Sequence, residues 1–445
     1  MTTSSRVVPL LVPILFGITA GAQAQGTGDH VPTMSELLER IDAQDRKIAE
    51  LSGTSVGSDK TRKGAALEAV YDGGFKLRSV NPDDPFELRV NGRMQFRYVG
   101  FDADHRGSTS SMPAYRSDFE IERGRLEFRG TFLDKGTHFY LNLDGDTDDG
   151  HQVIFHDFWV NHQFSRCLDF YVGKAFVPGS RDWLSGSTVS HLVDRSLATT
   201  FFRPDRSLGV WAIGEPADGL HYRAMIANGF NTSDLAGAEV DNKFAYSGSL
   251  WWDPCAPYGK GYADLEHHED LAMRVGASAT FAPEEDGQQP SNREADAIRL
   301  SDGSRLTSVG GEHFDVLLFA VDAAIKYQGL AINSEFFHRT LSNIHAPTNA
   351  STRRAYDDWG GYVDVGYMIV PKTFEVVGRY STIQGELMSS YEYALGANYY
   401  LNGKHTNKLS FDVTMLDGSP TSSSSPNYRL GDDGFMFRAQ WQIAF

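Results

Sequence analysis

In residues 86–100, FELRVNGRMQFRYVG, apolar or glycine positions alternate strictly with polar ones from Phe86 to Tyr98. A period of two places successive side chains on opposite faces of a β-strand, so this segment has one apolar and one polar face. Strands of soluble sheets typically have about five or six residues, whereas a tilted strand that crosses a bilayer needs roughly ten. The segment therefore predicts a transmembrane strand with lipid on one side and water on the other.

The same alternation recurs along the rest of the chain, between turns. The sixteen candidate strands are 86–100, 118–132, 136–144, 153–164, 167–176, 207–215, 219–228, 242–253, 270–282, 313–327, 329–340, 358–370, 372–383, 390–401, 406–416 and 434–445. The alternation slips near Arg123-Gly124, as a β-bulge would cause, and the inward face of 153–164 cannot be assigned. The pattern predicts an all-β fold, an antiparallel transmembrane β-barrel of about 16 strands.

The connections between these segments support a barrel independently, because their lengths alternate. In bacterial outer-membrane barrels the periplasmic turns are short and the external loops are long. The long connections are 101–117, 177–206, 283–312, 341–357 and 417–433. The short ones are 134–135, 165–166, 217–218, 328, 371 and 402–403. Only 254–269 departs from the alternation, since it is long on the side predicted to be periplasmic.

The N-terminal region predicts an exported protein. Residues 1–24 have the basic start, apolar centre and small-residue cleavage site of a signal peptide. Residues 25–64 contain one helical segment, 33–51, with apolar positions every seven residues, followed by a Ser- and Gly-rich linker. This helix predicts either a short self-associating coiled coil or a single amphipathic helix on the barrel. The barrel domain is predicted to span 65–445.

Charge and cysteine content limit the possible partners. The chain has 41 basic and 58 acidic residues and a net charge of −17, which argues against nucleic acid as a partner. Export would expose Cys167 and Cys255 to an oxidising compartment, but two cysteines alone do not predict a disulfide.

The motifs of enzymes and metal sites do not occur in convincing form. The chain has no GxSxG, HExxH or P-loop motif, so catalysis is not predicted. The acidic run DGDTDDG at 144–150 lacks the glycine and glutamate positions of a calcium loop and predicts an ordinary turn. His267-His268-Glu269-Asp270 could bind a metal, but a solvated turn is favoured because neighbouring side chains on an extended chain point apart. We expect neither a metal nor a cofactor.

Several blocks of residues resemble the phosphate-selective porin O and P family. They are VGKAF, DRSL and RPDRSLGV within 153–211, GGYVDVGYMIVPKTFEVVGRYS at 360–381 and YALGANYYLNGKHTNKLSFDV at 393–413. The last strand ends on the aromatic Phe445, which resembles the C-terminal signal recognised during outer-membrane assembly. The resemblance extends from about residue 86 to the end of the chain.

The resemblance implies a sixteen-stranded barrel in outer-membrane lipid, usually a homotrimer, that passes small anions such as phosphate. In this family the third external loop folds inward and forms the constriction, and the corresponding loop here is 177–206. It carries Arg181, Arg195, Arg203 and Arg206 against Asp182, Asp194 and Asp205.

Arginines on the first two strands are the predicted anion-guiding residues of the pore wall. They are Arg89, Arg93, Arg97, Arg123, Arg125 and Arg129. A guanidinium group can donate two hydrogen bonds to one oxyanion, and conduction requires binding weak enough for release. The alternative is that these arginines pair with neighbouring glutamates and only stiffen the wall. Those glutamates are Glu87, Glu120, Glu122 and Glu127.

Two features leave other functions open. The chain has only 12 lysines, and several predicted inward positions carry carboxylates, so a general porin of mixed polarity is an alternative. These acidic positions are Glu335, Asp364, Glu375, Glu392 and Asp412. A second alternative is a structural barrel that tethers the envelope through its coiled coil.

Overall fold

The structure is a computed structural model that describes residues 66–104, 115–147, 153–232, 235, 240–285, 294–309, 313–345 and 353–445. The predicted signal peptide, helical segment and linker lie outside these ranges and remain predictions. Within the described ranges the chain forms eighteen β-strands and five short helices.

Sixteen strands form the barrel, and a hairpin of β1 (Leu67–Tyr71) and β2 (Phe75–Ser79) precedes them. The barrel strands are β3 (Glu87–Ala103), β4 (Tyr115–Phe132), β5 (Asp134–Gly145), β6 (Val153–Ser165), β7 (Leu168–Phe176), β8 (Arg206–Ala217), β9 (Leu220–Ala227), β10 (Ala245–Trp252), β11 (Ala272–Glu285), β12 (His313–Tyr327), β13 (Leu330–His345), β14 (Tyr356–Val370), β15 (Phe374–Gly385), β16 (Ser389–Tyr400), β17 (Asn407–Asp417) and β18 (Gly434–Ala444). Each corresponds to one of the sixteen predicted segments, with ends that differ by a few residues.

The helices all lie in connections between strands. They are Arg181–Leu184, Ser187–Val189, Leu197–Phe202, Glu294–Ala297 and Leu306–Val309. None of the described helices is long and apolar enough to cross a membrane.

Every barrel strand pairs antiparallel with the next, and the last strand pairs with the first. β18 lies beside β3 from Gly434, opposite Ala103, to Ala444, opposite Arg93. Closure gives every strand two neighbours, which satisfies backbone N–H and C=O groups that find no partner in lipid. The predicted fold, a closed antiparallel barrel of sixteen strands, is confirmed.

The two faces of the barrel wall differ as the alternation predicts. On β14, Trp359, Val363 and Tyr367 point outward and are between 42% and 48% exposed. Asp358 and Asp364 on the same strand point inward and are each 1% exposed. An apolar exterior of this kind faces lipid, and the polar side chains fill the lumen.

Two β-bulges account for the segments in which the alternation is unclear. Gln95 pairs with Arg123 and Phe96 with Ile121, so the residue between the latter two partners, Glu122, is an extra residue on β4. On β6 the register skips His156 in the same way. A bulge shifts the parity by one residue, which hides the period of two.

The C-terminal residue closes the barrel seam at one end of β3. The Phe445 N–H donates to the Gly92 carbonyl at 2.9 Å, and the Gly92 N–H donates to the Phe445 carbonyl at 3.2 Å. The Phe445 ring covers Gly92, where an added Cβ would lie 2.4 Å from the ring. It also meets Phe75 of the hairpin edge-on, with centroids 5.9 Å apart. Gly92 is therefore required by the close approach of the terminal ring.

The connections follow the predicted alternation with two departures. The connection between β10 and β11, residues 253–271, is long at the end where the others are short, as the sequence indicates. The connection between β15 and β16, residues 386–388, is short at the end where the others are long.

The two cysteines are both free and exposed. Cys167 lies in the turn between β6 and β7, and Cys255 lies in the connection between β10 and β11. No disulfide therefore contributes to the fold.

Candidate functional site

The connection between β7 and β8, residues 177–205, folds into the barrel and is called the inner loop below. Nearly all of its residues from 190 to 202 are buried. The Ser196 side chain accepts a hydrogen bond from the Thr199 N–H and so caps the helix Leu197–Phe202. Phe202 at the end of this helix stacks on Phe337 of β13, with ring centroids 5.3 Å apart.

Asp194 joins the inner loop to two separate parts of the barrel wall, β3–β4 and β15. Its Oδ2 accepts hydrogen bonds from Arg97 on β3 and Arg123 on β4, each at 2.9 Å. Its carbonyl accepts one from Arg379 on β15, also at 2.9 Å. Burial opposes ionisation, but the charges of Arg123, Arg97 and Arg195 outweigh it and hold the pKa of Asp194 well below its usual range. The carboxylate therefore stays charged.

Carboxylates of the barrel wall hold the backbone of the inner loop. Glu335 accepts from the Arg181 N–H at 2.8 Å and the Asp182 N–H at 3.1 Å. Glu392 accepts from the Leu197 N–H at 2.7 Å. Val193 donates its N–H to Asp412 in the same manner, at 3.1 Å.

These contacts remove the acidic wall positions from the open lumen. The exposed fraction is at most 4% for each of the five carboxylates predicted to face inward, which are Glu335, Asp364, Glu375, Glu392 and Asp412. Two of them also form bidentate pairs within the wall, Asp364 with Arg379 and Asp412 with Arg438. Their negative charge is thus neutralised by the inner loop and by wall arginines.

The six arginines predicted to line the pore divide into two groups. Arg97 and Arg123 are 0% and 2% exposed and bind Asp194, so they hold the inner loop. Arg89 and Arg93 lie directly opposite Arg129 and Arg125 across β3 and β4.

The members of this second group have different partners. Arg125 pairs with Asp144 at 2.6 Å, whereas the ion pairs of Arg93 with Glu127 and of Arg89 with Asp72 are 3.9 and 3.7 Å long. Arg129 donates to the Asn91 side chain at 3.1 Å. Three of the four guanidinium groups have a described carboxylate within 4.0 Å, and only that of Asp144 is closer than 3.7 Å, so the two facing pairs leave this part of the wall with a net positive charge.

The four arginines predicted in the loop also take different positions. Arg195 donates to the carbonyls of Asp182 and Ser185 inside the loop. Burial lowers the pKa of Arg195 to about 10, despite the neighbouring Asp194 and Asp182, and the group stays charged at neutral pH. Arg203 lies over the Trp183 ring at 3.9 Å.

The other two loop arginines contact the wall. Arg206 begins β8, binds Asp157 at 2.9 Å and lies over the Phe176 ring at 3.7 Å. Arg181 lies 3.0 Å from Asp322 of β12 and faces the part of the lumen lined by β9–β11.

Besides the wall arginines Arg379 and Arg438, the predicted set omits two arginines beside the inner loop, Arg274 and Arg223. Arg274 on β11 forms a bidentate pair with Asp253, with both distances 2.7 Å. Arg223 on β9 has no carboxylate within ion-pair distance among the described residues. In the sequence of β9, LHYRAMIA, His221 and Arg223 alternate with apolar residues, and this alternation could have predicted that Arg223 points inward.

Aromatic side chains form a continuous row on the inner face of β5–β8. Tyr140 stacks on Trp159 at 5.3 Å, Trp159 meets Tyr171 at 5.1 Å, and Tyr171 stacks on Trp211 at 5.1 Å. This aromatic row gives the lumen an apolar strip beside its charged groups.

The long connection 253–271 also contacts the inner loop. The Tyr262 hydroxyl donates to Asp182 at 2.9 Å, and the Tyr258 hydroxyl donates to Asn333 of β13 at 2.6 Å. Within this connection Asp264, Glu266 and His268 lie close together. The Asp264 oxygens accept the backbone N–H groups of His268 and Gly329, so they already have partners.

Comparison with known proteins agrees with this geometry. A family model described as phosphate-selective porin O and P matches residues 88–445. The anion-selective porin from Comamonas acidovorans has a TM-score of 0.54 and 12% identity over 80% of this chain and 99% of that one. OmpF of Salmonella typhi in complex with daunomycin has a TM-score of 0.53 and 13% identity over 85% of this chain and 100% of that one. OprB of Pseudomonas putida has a TM-score of 0.52 and 10% identity over 80% of this chain and 94% of that one.

No curated protein sequence matches the chain. At identities this low, the similarity to these structures shows a shared barrel fold and nothing more specific. The family match is stronger, because it covers nearly the whole barrel, from the start of β3 to the terminal Phe445. The chain belongs to the phosphate-selective porin O and P family.

Proposed function

We propose that the protein is an outer-membrane porin through which small anions, phosphate included, diffuse passively. The observation that carries this proposal is that the inward carboxylates of the wall are neutralised, whereas four inward arginines face the open lumen. The inner loop and wall arginines neutralise the inward carboxylates of β13–β17, whereas Arg89, Arg93, Arg125 and Arg129 stay on the wall that the loop leaves open. Mobile anions then supply the charge that balances these arginines.

The inner loop forms the constriction in this proposal. Its burial and its bonds to β3 and β15, distant from its own strands β7 and β8, fix it in the lumen and narrow the path. Near a low-dielectric wall an arginine attracts an anion more strongly than in bulk water, yet hydration of the pore keeps the attraction weak enough for release.

The oligomeric state and location follow from the family. The resemblance to this family implies a homotrimer in the outer membrane, and we propose that assembly and location for this chain. The anion selectivity named for the Comamonas acidovorans porin supports an anion preference here.

Reversal potentials in planar bilayers with a potassium chloride gradient, and then a potassium phosphate gradient, test the proposal. We expect a preference for anions that falls in a double variant, Arg93→Gln with Arg125→Gln. Loss of about 1 kcal/mol of anion stabilisation corresponds to roughly a fivefold fall in the permeability ratio of anion to cation.

Arg166→Gln is the matched control, because Arg166 is exposed in the turn between β6 and β7 and pairs with Glu215 and Asp218. It removes a positive charge without touching the lumen, so selectivity should not change. A protein that forms no channels, or one that prefers potassium to both anions, contradicts the proposal.

A further inference from the structure

A cavity of about 240 Å³ lies between the inner loop and strands β9–β11. It is called the Arg223 pocket below. Its lining includes Arg181 and Leu184 of the loop and Arg223, Ser249, Trp251 and Arg274 of the wall. These residues belong to three adjacent strands and one loop that the barrel closure brings together.

Two hydrogen-bonding groups of this pocket have no partner. The Nε of Arg223 and the Oγ of Ser249 are inaccessible to solvent, and neither bonds to any described residue. The two residues lie directly opposite each other on β9 and β10. Buried polar groups are normally hydrogen-bonded, and an Arg N–H can only donate. A ligand therefore meets Arg223 at its terminal nitrogens, which are not among the inaccessible atoms and donate to no described residue.

The charges around the pocket indicate a singly charged ligand. Arg181 pairs with Asp322 and Arg274 pairs with Asp253, so these four charges cancel. Arg223 is left with one uncompensated positive charge among the described residues. One positive charge matches a monoanion, whereas a doubly charged phosphate would remain half neutralised.

The size and apolar lining of the pocket indicate that the ligand carries an organic body. A volume of 240 Å³ exceeds the space of a five-atom oxyanion, since a water molecule takes roughly 30 Å³ of liquid. Leu184 and Trp251 supply apolar surface, and Trp251 is stacked on His221 with centroids 5.2 Å apart.

The aromatic row leads towards the pocket. It ends at Trp211, next to Met225, which lies two residues from Arg223 on β9. The row therefore offers an apolar approach to the unpaired guanidinium.

We infer that the Arg223 pocket binds the carboxylate of small organic monocarboxylic acids and holds their apolar part against Leu184 and Trp251. The carboxylate accepts from the terminal nitrogens of the Arg223 guanidinium, beside Ser249 on the next strand. This inference rests on the proposed porin function, and it makes an organic acid, not inorganic phosphate, the solute that is retained in the channel.

Single-channel recording tests the inference with sodium benzoate as the probe and with acetate and inorganic phosphate for comparison. We expect benzoate to interrupt the chloride current at concentrations about tenfold lower than phosphate, because it alone joins a singly charged carboxylate to an apolar body that fills the pocket. Acetate, which carries the carboxylate without the apolar body, should interrupt it less.

Arg223→Lys should weaken the benzoate block. Lys keeps the charge but loses the planar fork, so the anion preference should persist while the apparent benzoate affinity falls by about tenfold. Arg166→Gln, at the exposed turn, should leave the block unchanged.

The possible outcomes separate the two proposals. A channel that prefers anions but responds to benzoate no more strongly than to phosphate overturns the pocket and leaves the porin function standing. A block that survives Arg223→Lys in folded, heat-modifiable protein also overturns it. Absence of conductance or of anion preference in the unmodified protein contradicts the porin function itself.

Discussion

Single residues decide which charges of the lumen are structural and which are available to solutes. Asp194→Asn should release the inner loop, because Arg97 and Arg123 would lose the carboxylate that they share at 2.9 Å. Removing one partner of a buried ion pair costs about 3–5 kcal/mol. We expect frequent fluctuations of the open-channel current in single-channel recordings.

Asp218→Asn is the control for this change, since Asp218 is 94% exposed and pairs only with the exposed Arg166 among the described residues. It should leave the current as steady as in the unmodified protein. Equally steady current in Asp194→Asn would show that Asp194 does not hold the loop.

At this scale the sequence predicted some residues and missed others for identifiable reasons. The inward orientation of Arg89, Arg93 and Arg97 follows from local alternation, which needs no knowledge of the fold. That Arg97 binds Asp194, 97 positions further along the chain, depends on barrel closure. Arg223 was missed because it stands alone on a short strand, without the repeated spacing that drew attention to β3.

At the scale of elements, the inner loop is the part of the chain whose removal should change the pore most. Replacing residues 179–203 by a short Gly-Ser turn should raise the conductance and reduce the anion preference. The loop would no longer occupy the lumen, and Glu335 and Glu392 would lose the backbone N–H groups that they bind. Their charges would then face water in the pore.

Conductance and reversal potential in bilayers measure this effect. Adding Glu335→Gln and Glu392→Gln to the shortened protein should restore part of the anion preference. If the shortened protein conducts no better than the unmodified one, the loop is not the constriction.

Strand positions were predictable because successive side chains of a transmembrane strand face lipid and lumen in turn, which gives an alternation of apolar and polar residues. The β1–β2 hairpin was not, because each of its strands has five residues and neither shows a lipid-facing pattern. The placement of the loop likewise depends on wall residues brought together from distant strands.

At the scale of the whole molecule, buried titratable groups at the short-turn end should make barrel stability depend on pH. His405 lies in the turn between β16 and β17, and both of its ring nitrogens are buried without a hydrogen-bond partner among the described residues. Burial, together with the charges of Lys408, Lys326 and His191, holds the pKa of His405 well below its usual range.

The direction of the effect follows from linkage. The unfolded chain takes up a proton near the ordinary histidine pKa of about 6.5, whereas the folded barrel resists protonation. The contribution of His405 is therefore complete above that pH and is lost as the pH falls towards the lower folded pKa. Each pKa unit of difference is worth about 1.4 kcal/mol.

We therefore expect the temperature of the heat-induced gel-mobility shift to fall between pH 7.5 and pH 5. His405→Asn should flatten this dependence, because asparagine does not titrate in that range. His162→Asn, at a side chain that is 40% exposed on β6, should keep the full dependence. An unchanged pH profile in His405→Asn would assign the acid sensitivity to other groups of the barrel.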